Sequence, residues 1–184
     1  MKYFLSIHVS FIFPFFHQTQ SIFFPKSLLY LKLNDFIVTY ERSLFMDFNK
    51  LAEMRDRDNL FAAFLGIKTK KVEEGYAEVE LELRPEFMNA TNVVHGGCLY
   101  TLGDVVSGTA ASSFGTKAVT VSGEYQYLSA AKDTEKIKAV ARCSKSGKTL
   151  LFFDVEITDD KDRLVGKGTF VYYRLQNMPI TFED

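Results

Sequence analysis

The chain has 184 residues, 47% of them apolar, with 22 basic and 23 acidic side chains and a formal net charge of −1. That length suits one domain with an appendage, and interspersed charges of both signs leave no electrostatic footprint for nucleic acid. Cys98 and Cys143 form no CxxC pair and His95 is the only histidine beyond residue 45, so a Cys/His zinc site is not expected and a reducing, cytoplasmic setting is.

Composition breaks at Met46. Residues 1–45 hold no glycine and no alanine, yet half of the 18 phenylalanines. The apolar run Tyr3 to Phe16 resembles a signal peptide, but His8, Pro14 and His17 interrupt it and no small-residue cleavage site precedes Pro25. It is also too short and broken to span a bilayer, so no membrane partner is expected. The expectation is that 1–45 is a non-native extension, an upstream misread of AT-rich DNA with Met46 as the natural start. The alternative is a real extension that is disordered or touches a membrane. Residues 46–184 then form the folded domain.

Within that body, Asp47 to Leu60 is charged, with Phe48, Leu51 and Met54 spaced as one face of a short helix. Phe64 to Lys70 is expected as a short strand. Ala77 to Leu83 alternates cleanly, with Ala77, Val79, Leu81 and Leu83 on one face and Glu78, Glu80 and Glu82 on the other. Gly96 to Phe114 reads as a long helix rich in small residues, carrying Asp104 as its single charge. Each interior glycine costs about 1 kcal/mol against alanine, so packing has to stabilise this helix. Strands follow at 118–127, 136–144, 149–158 and 164–175, with turns at Lys145-Ser146-Gly147-Lys148 and 159–163. Short connections favour an antiparallel sheet, and a sheet of that size with one apolar helix can wrap around it.

The chemistry concentrates between Asn89 and Asp104. A helix entrance at His95-Gly96-Gly97 offers free N–H groups and the positive end of the helix dipole, which suit a developing oxyanion. Asp104 has no charged neighbour between Gly96 and Lys117, and an isolated acid on an apolar helix marks a site more often than a solvated face. Cys98, Tyr100 and Tyr125 read as packing; Cys98 as a nucleophile lacks a base beyond nearby His95. Asn89 and Thr120 alone are ordinary loop and strand residues. Arg142, Lys145 and Lys148 around one turn form either a solvated tip or point charges for phosphates.

Asn89, His95-Gly96-Gly97 and Leu102-Gly103-Asp104, with Val119-Thr120-Val121, Tyr127-Leu128-Ser129-Ala130-Ala131 and Lys145 to Leu150 behind them, resemble the PaaI-like acyl-CoA thioesterases of the 4-hydroxybenzoyl-CoA thioesterase superfamily. The resemblance covers about 47–175. It implies the α+β hotdog fold: a long central helix wrapped by a curved antiparallel sheet of five to six strands, with a short N-terminal helix. It implies hydrolysis of an acyl-CoA to free acid and coenzyme A, without metal or organic cofactor. Carried over residue by residue, Asp104 activates water or attacks, and the Gly96 N–H polarises the carbonyl. Asn89 and Thr120 place the water, and His95 organises the loop. Gly97, Ser122 and Tyr127 face substrate, and Lys145, Ser146, Gly147, Lys148, Thr149 and Leu150 hold the coenzyme A nucleotide. The resemblance also implies a homodimer that shares the site, so that Asp104 meets His95 and Gly96 of a neighbour, and a dimer of dimers above it. Two positions depart from the family pattern: Asn92 stands where glycine is common and Ala130 where proline is frequent. The competing readings are a non-catalytic acyl-CoA sensor, which would need a DNA-binding or partner domain for which the segment before Phe64 is too short and not basic enough, and a hotdog enoyl-CoA hydratase, whose Asp/His spacing is absent.

Overall fold

The computed structural model describes residues 46–182 and four two-residue strands before them, Ile7–His8 paired with Ser21–Ile22 and Lys32–Leu33 paired with Phe36–Ile37. The remaining expectations for 1–45 lie outside the described residues. The chain divides into two compact units, Met1–Leu44 and Phe45–Asp184.

Helix α1 spans Phe48–Asp58 and starts where the Asp47 carboxylate accepts the N–H groups of Asn49 and Lys50, both at 3.1 Å. Its apolar face seats Leu51, fully buried. A second helix, α2, follows at Leu60–Leu65, where a strand was expected to begin at Phe64. Caps decide the difference. The Asn59 side chain accepts the Ala62 N–H at 3.2 Å, and Gly66 at φ +85° closes the helix by donating to Ala62 and Ala63. Strand β1 therefore begins at Lys68 and runs to Glu73.

Strand β2, Tyr76–Glu82, buries Ala77, Val79 and Leu81 as its alternation requires. Its acidic face meets basic residues of the strand at Lys136–Ser146, Lys138 Nζ lying 2.8 Å from Glu78 and Lys136 Nζ 3.1 Å from Glu80. These pairs, with mostly buried glutamates and half-exposed lysines, fix register more than they stabilise. Helix α3 spans Gly96–Ser112, and strands β3 (Thr116–Tyr127), β4 (Lys136–Ser146), β5 (Leu150–Asp159) and β6 (Leu164–Pro179) complete the body. All six strands form one antiparallel sheet in the order β1-β2-β4-β5-β6-β3. Strands β4, β5 and β6 are a meander, but β3 departs from chain order: it pairs with β6 and leaves its other edge open.

Helix α3 touches all six strands. Leu102, Val106, Ala110 and Ala111 are fully buried against a sheet face built by Ile137, Phe153, Ile157 and Phe170. The small residues have a steric cause. A Cβ at Gly103 would stand 3.0 Å from the Phe170 ring, and one at Gly108 would stand 3.1 Å from the Tyr172 hydroxyl and 3.3 Å from an Arg55 Nη. Helix propensity is given up there so that aromatic side chains of β6 can lie against the helix backbone. This is the wrapped-helix hotdog architecture expected from the sequence.

Candidate active site

The loop entering α3 is built around one side chain. Asn89 Oδ1 accepts the N–H groups of Thr91 (2.9 Å) and Val93 (3.1 Å) and the Thr91 hydroxyl (2.8 Å). Two backbone donors aimed at one atom identify it as the amide oxygen, which leaves Nδ2 as the uncommitted end of Asn89. Asn92 sits at φ +57°, a left-handed position that asparagine tolerates and glycine adopts freely. The replacement of glycine there keeps the loop's course.

His95 is the N-cap of α3. Its Nδ1 accepts the Gly97 N–H at 2.9 Å, while its backbone N–H donates to Phe87 at 2.8 Å. The helix entry thus consumes the Gly97 donor; the Gly96 N–H donates to no group among the described residues. Above it lies Tyr127, whose hydroxyl donates to the Gly96 carbonyl at 3.0 Å and whose ring would stand 3.1 Å from a Cβ at Gly96. The 127–131 segment forms the opposite wall, held by Val94 N–H to Ala131 (3.1 Å) and by the Leu128 and Ser129 N–H groups to Val165. Between loop and wall lies an open cavity of about 310 Å³, lined by Asn89, Val93, Gly96, Leu99, Tyr127 and Ala130 among others.

Asp104 is half-buried two turns further along α3. Its Oδ1 accepts the Thr120 hydroxyl at 2.8 Å and the Tyr172 hydroxyl at 2.7 Å; Oδ2 accepts no hydrogen bond among the described residues. The Tyr172 hydroxyl also lies 2.6 Å from the Asp104 main-chain oxygen and 3.3 Å from Ser107 Oγ. Burial and then the Asp104 charge push the Tyr172 hydroxyl far above the usual tyrosine range, so it stays a neutral donor. Arg55 reaches in from α1, its Nε donating to Thr109 Oγ1 at 3.3 Å. Burial lowers the pKa of its guanidinium, and the Asp104 carboxylate is among the groups that oppose this. Tyr172 and Arg55 are the participants that the sequence did not single out.

These two clusters do not meet in one chain. Gly96 and Asp104 stand eight residues apart on one helix, about 12 Å along its axis. A third region, the β4–β5 hairpin, is separate again. Lys145 and Ser146 lie in β4, Gly147 turns with its N–H on Leu150, and Leu150 starts β5. Ser146 is aligned with Thr120 through Leu151 and Tyr172, three strand spacings or about 14 Å away. An Arg174 Nη donates to Ser146 Oγ at 3.1 Å and Gln176 to the Lys148 carbonyl at 3.0 Å. Lys145, Lys148 and Thr149 are exposed, as is Ser122 on β3. Burial pushes the Cys98 thiol up, away from nucleophilic character. Among the described residues no three His, Cys, Asp or Glu side chains gather as a metal-ion set, and no helix is long and apolar enough to cross a membrane.

Residues 91–166 match the thioesterase superfamily. A protein of Archaeoglobus fulgidus whose name only proposes an esterase is 30% identical over 122 residues, 66% of this chain and 79% of the relative. The acyl-coenzyme A thioesterase PaaI of Escherichia coli is 28% identical over 104 residues, 56% of this chain and 74% of PaaI. Its solved structure superimposes with a TM-score of 0.66 and 25% identity, over 72% of this chain and 98% of PaaI. A Streptococcus pneumoniae thioesterase solved with coenzyme A superimposes with a TM-score of 0.63 and 28% identity, over 68% of this chain and 99% of that one. The same pneumococcal protein has been solved as an Asp→Ala and as a Thr→Ala variant, at positions sixteen apart. Sequence and fold agree on one conclusion: the chain belongs to the thioesterase superfamily, as a PaaI-like hotdog enzyme of thioester hydrolysis.

Proposed function

We propose that the protein hydrolyses acyl-CoA to a free acid and coenzyme A, at sites each shared by two copies of the chain. One observation carries this: α3 holds an unused N–H at Gly96 and an unused carboxylate oxygen at Asp104, too far apart to serve one carbonyl. A two-fold partner brings the entrance of one helix to the acid of the other. The open edge of β3 supports pairing of copies, since this 12-residue edge strand exposes Val119 and Val121. A dimer of dimers is the expected assembly.

In this site the Gly96 N–H donates to the thioester oxygen as it gains charge. The Nδ2 of Asn89, which lines the same cavity as Gly96, joins it there in place of the water-placing role implied by the resemblance. Removal of one such donor costs about 2.7–4 kcal/mol in well-studied hydrolases. Asp104 Oδ2 takes a proton from the attacking water, or attacks the carbonyl itself, while Thr120 holds Oδ1. Asp104 and Thr120 are separated by sixteen residues, as are the two substituted positions in the pneumococcal protein. His95 fixes the entry turn through Gly97, and Tyr127 holds Gly96 in place. Gly97 and Ser122 border the thioester end. Lys145 and Lys148 on the β4–β5 hairpin supply charge to the coenzyme A phosphates, with Ser146, Gly147, Thr149 and Leu150 shaping the turn. The pneumococcal thioesterase with bound coenzyme A supports that ligand class. Two free cysteines suit the cytoplasm.

The test is thiol release from a panel of acyl-CoAs, aromatic and medium-chain included, by the wild type and by Asp104→Ala. Release abolished in the variant, with acyl-CoA binding retained, is the expected result. Undiminished turnover in Asp104→Ala overturns the assignment, and binding without turnover in the wild type favours a sensor.

A further inference from the structure

We infer that Tyr172 is a positioning residue for the hydrolytic acid: its hydroxyl ties Asp104 Oδ1 to the backbone and leaves Oδ2 as the one oxygen free to react. The inference rests on the thioesterase reading above and adds a residue to it. Tyr172 is 3% exposed, and its hydroxyl lies 2.7 Å from Oδ1 and 2.6 Å from the main-chain oxygen of the same aspartate. With a single proton to share between them, the phenol folds the carboxylate back along its own helix. Thr120 approaches the same Oδ1 at 2.8 Å. Two hydroxyl donors on one oxygen fix both the rotamer and the outward face of the group, which a single donor leaves free to rotate.

The surroundings are arranged for this phenol. Gly108 leaves the space that a Cβ would contest with the hydroxyl at 3.1 Å. Phe153 meets the Tyr172 ring edge-on, with ring centroids 6.0 Å apart. Ser107 Oγ, donating to the Gly103 carbonyl at 2.6 Å, stands 3.3 Å from the phenol oxygen. The ring therefore has one seat, which sets its hydroxyl between the main-chain oxygen and Oδ1 of Asp104 and beside Ser107.

Tyr172→Phe keeps the ring and removes the hydroxyl. The expected result is a kcat lowered by about 10- to 100-fold with KM nearly unchanged, the scale of losing a hydrogen bond to a charged group. In an Asp104→Asn background, whose residual turnover is measured at high enzyme concentration, the same substitution is expected to cost less than about twofold. Far-UV circular dichroism and thermal unfolding accompany both. A lowered Tm with unchanged kcat means that Tyr172 only packs, and overturns the inference. An equal fold-loss in both backgrounds means that it acts apart from Asp104, and overturns it too. If Asp104→Ala itself keeps full turnover, Asp104 is not the hydrolytic acid; if the wild type binds acyl-CoA without releasing thiol, the thioesterase reading fails. If that variant is inactive and Tyr172→Phe is not impaired, only the present inference fails.

Discussion

Thr120 and Tyr172 face each other across β3 and β6 because a bulge at Val121 breaks the alternation of β3. Val171 pairs with Ser122 and Tyr172 with Thr120, so Val121 has no partner. Counting inward from Gly123, regular alternation would turn Val121 toward α3; the bulge turns Thr120 there instead. Two hydroxyls thereby converge on one carboxylate oxygen. Thr120→Val, which keeps the shape and removes the donor, is expected to lower kcat about 10- to 100-fold, while Thr120→Ser retains most of it. Steady-state kinetics on one acyl-CoA check both variants.

Asn89 offers a sharper distinction between scaffold and chemistry. Its Oδ1 already accepts three hydrogen bonds from its own loop, so Asn89→Asp preserves every one of them. What changes is the other end, where a donor becomes an anionic oxygen facing the site of developing negative charge. The variant is expected to keep Tm within a few degrees and lose about 100-fold or more in kcat, the scale of an oxyanion donor. Near-normal kcat confines Asn89 to loop structure.

Sharing of sites between copies has an arithmetic signature. Asp104→Ala and Asn89→Asp each inactivate one half of the site. When the two are mixed, unfolded and refolded together, half of the dimers are mixed and each carries one intact site, so about a quarter of wild-type activity returns. If each chain holds a whole site, the mixture stays inactive. Activity of the refolded mixture, against each variant refolded alone, decides between them.

Asp159 should govern part of the acid stability. It is 3% exposed. Burial pushes its carboxyl up, but the Arg163 N–H and guanidinium and the Lys161 N–H outweigh that and hold it below the usual range. A carboxyl depressed in the folded state contributes stability above its unfolded pKa of about 3.9 and loses it as pH falls through the folded value. Asp159→Asn is therefore expected to be less stable than wild type at pH 7, by about 1–3 kcal/mol. The gap should narrow below pH 4. Urea unfolding at pH 7 and pH 3 measures it; a gap that is constant with pH refutes the charge-based account.

Much of this molecule is legible from its residues because the informative patterns are local. The period-2 run of β2 and the crowd of small residues on α3 have one physical solution each, and Asp104 stands out because its helix carries no other charge. Tyr172 does not stand out. It lies in Thr169-Phe170-Val171-Tyr172-Tyr173, where every residue suits a strand, and the partner that matters is set by a bulge one strand away. Arg55, in Arg55-Asp56-Arg57-Asp58, reads as solvated charge until α1 is laid against Thr109. Strand order hides for a similar reason. The 128–135 connection is short enough for a hairpin, yet β3 takes the far edge beside β6. Non-local pairing settles such features, and no window of sequence contains it.

Because α3 rests on every strand of the sheet, it behaves as a gauge with two marks, Gly96 and Asp104, at a fixed interval. A single inserted or deleted residue between them would rotate Asp104 by about 100° and turn it away from Thr120 and Tyr172. The interval is thus closed to length variation. Adaptation to new acyl groups has to come from the segments at 89–95 and 127–131, whose side chains line the cavity and whose backbones are pinned at only a few points.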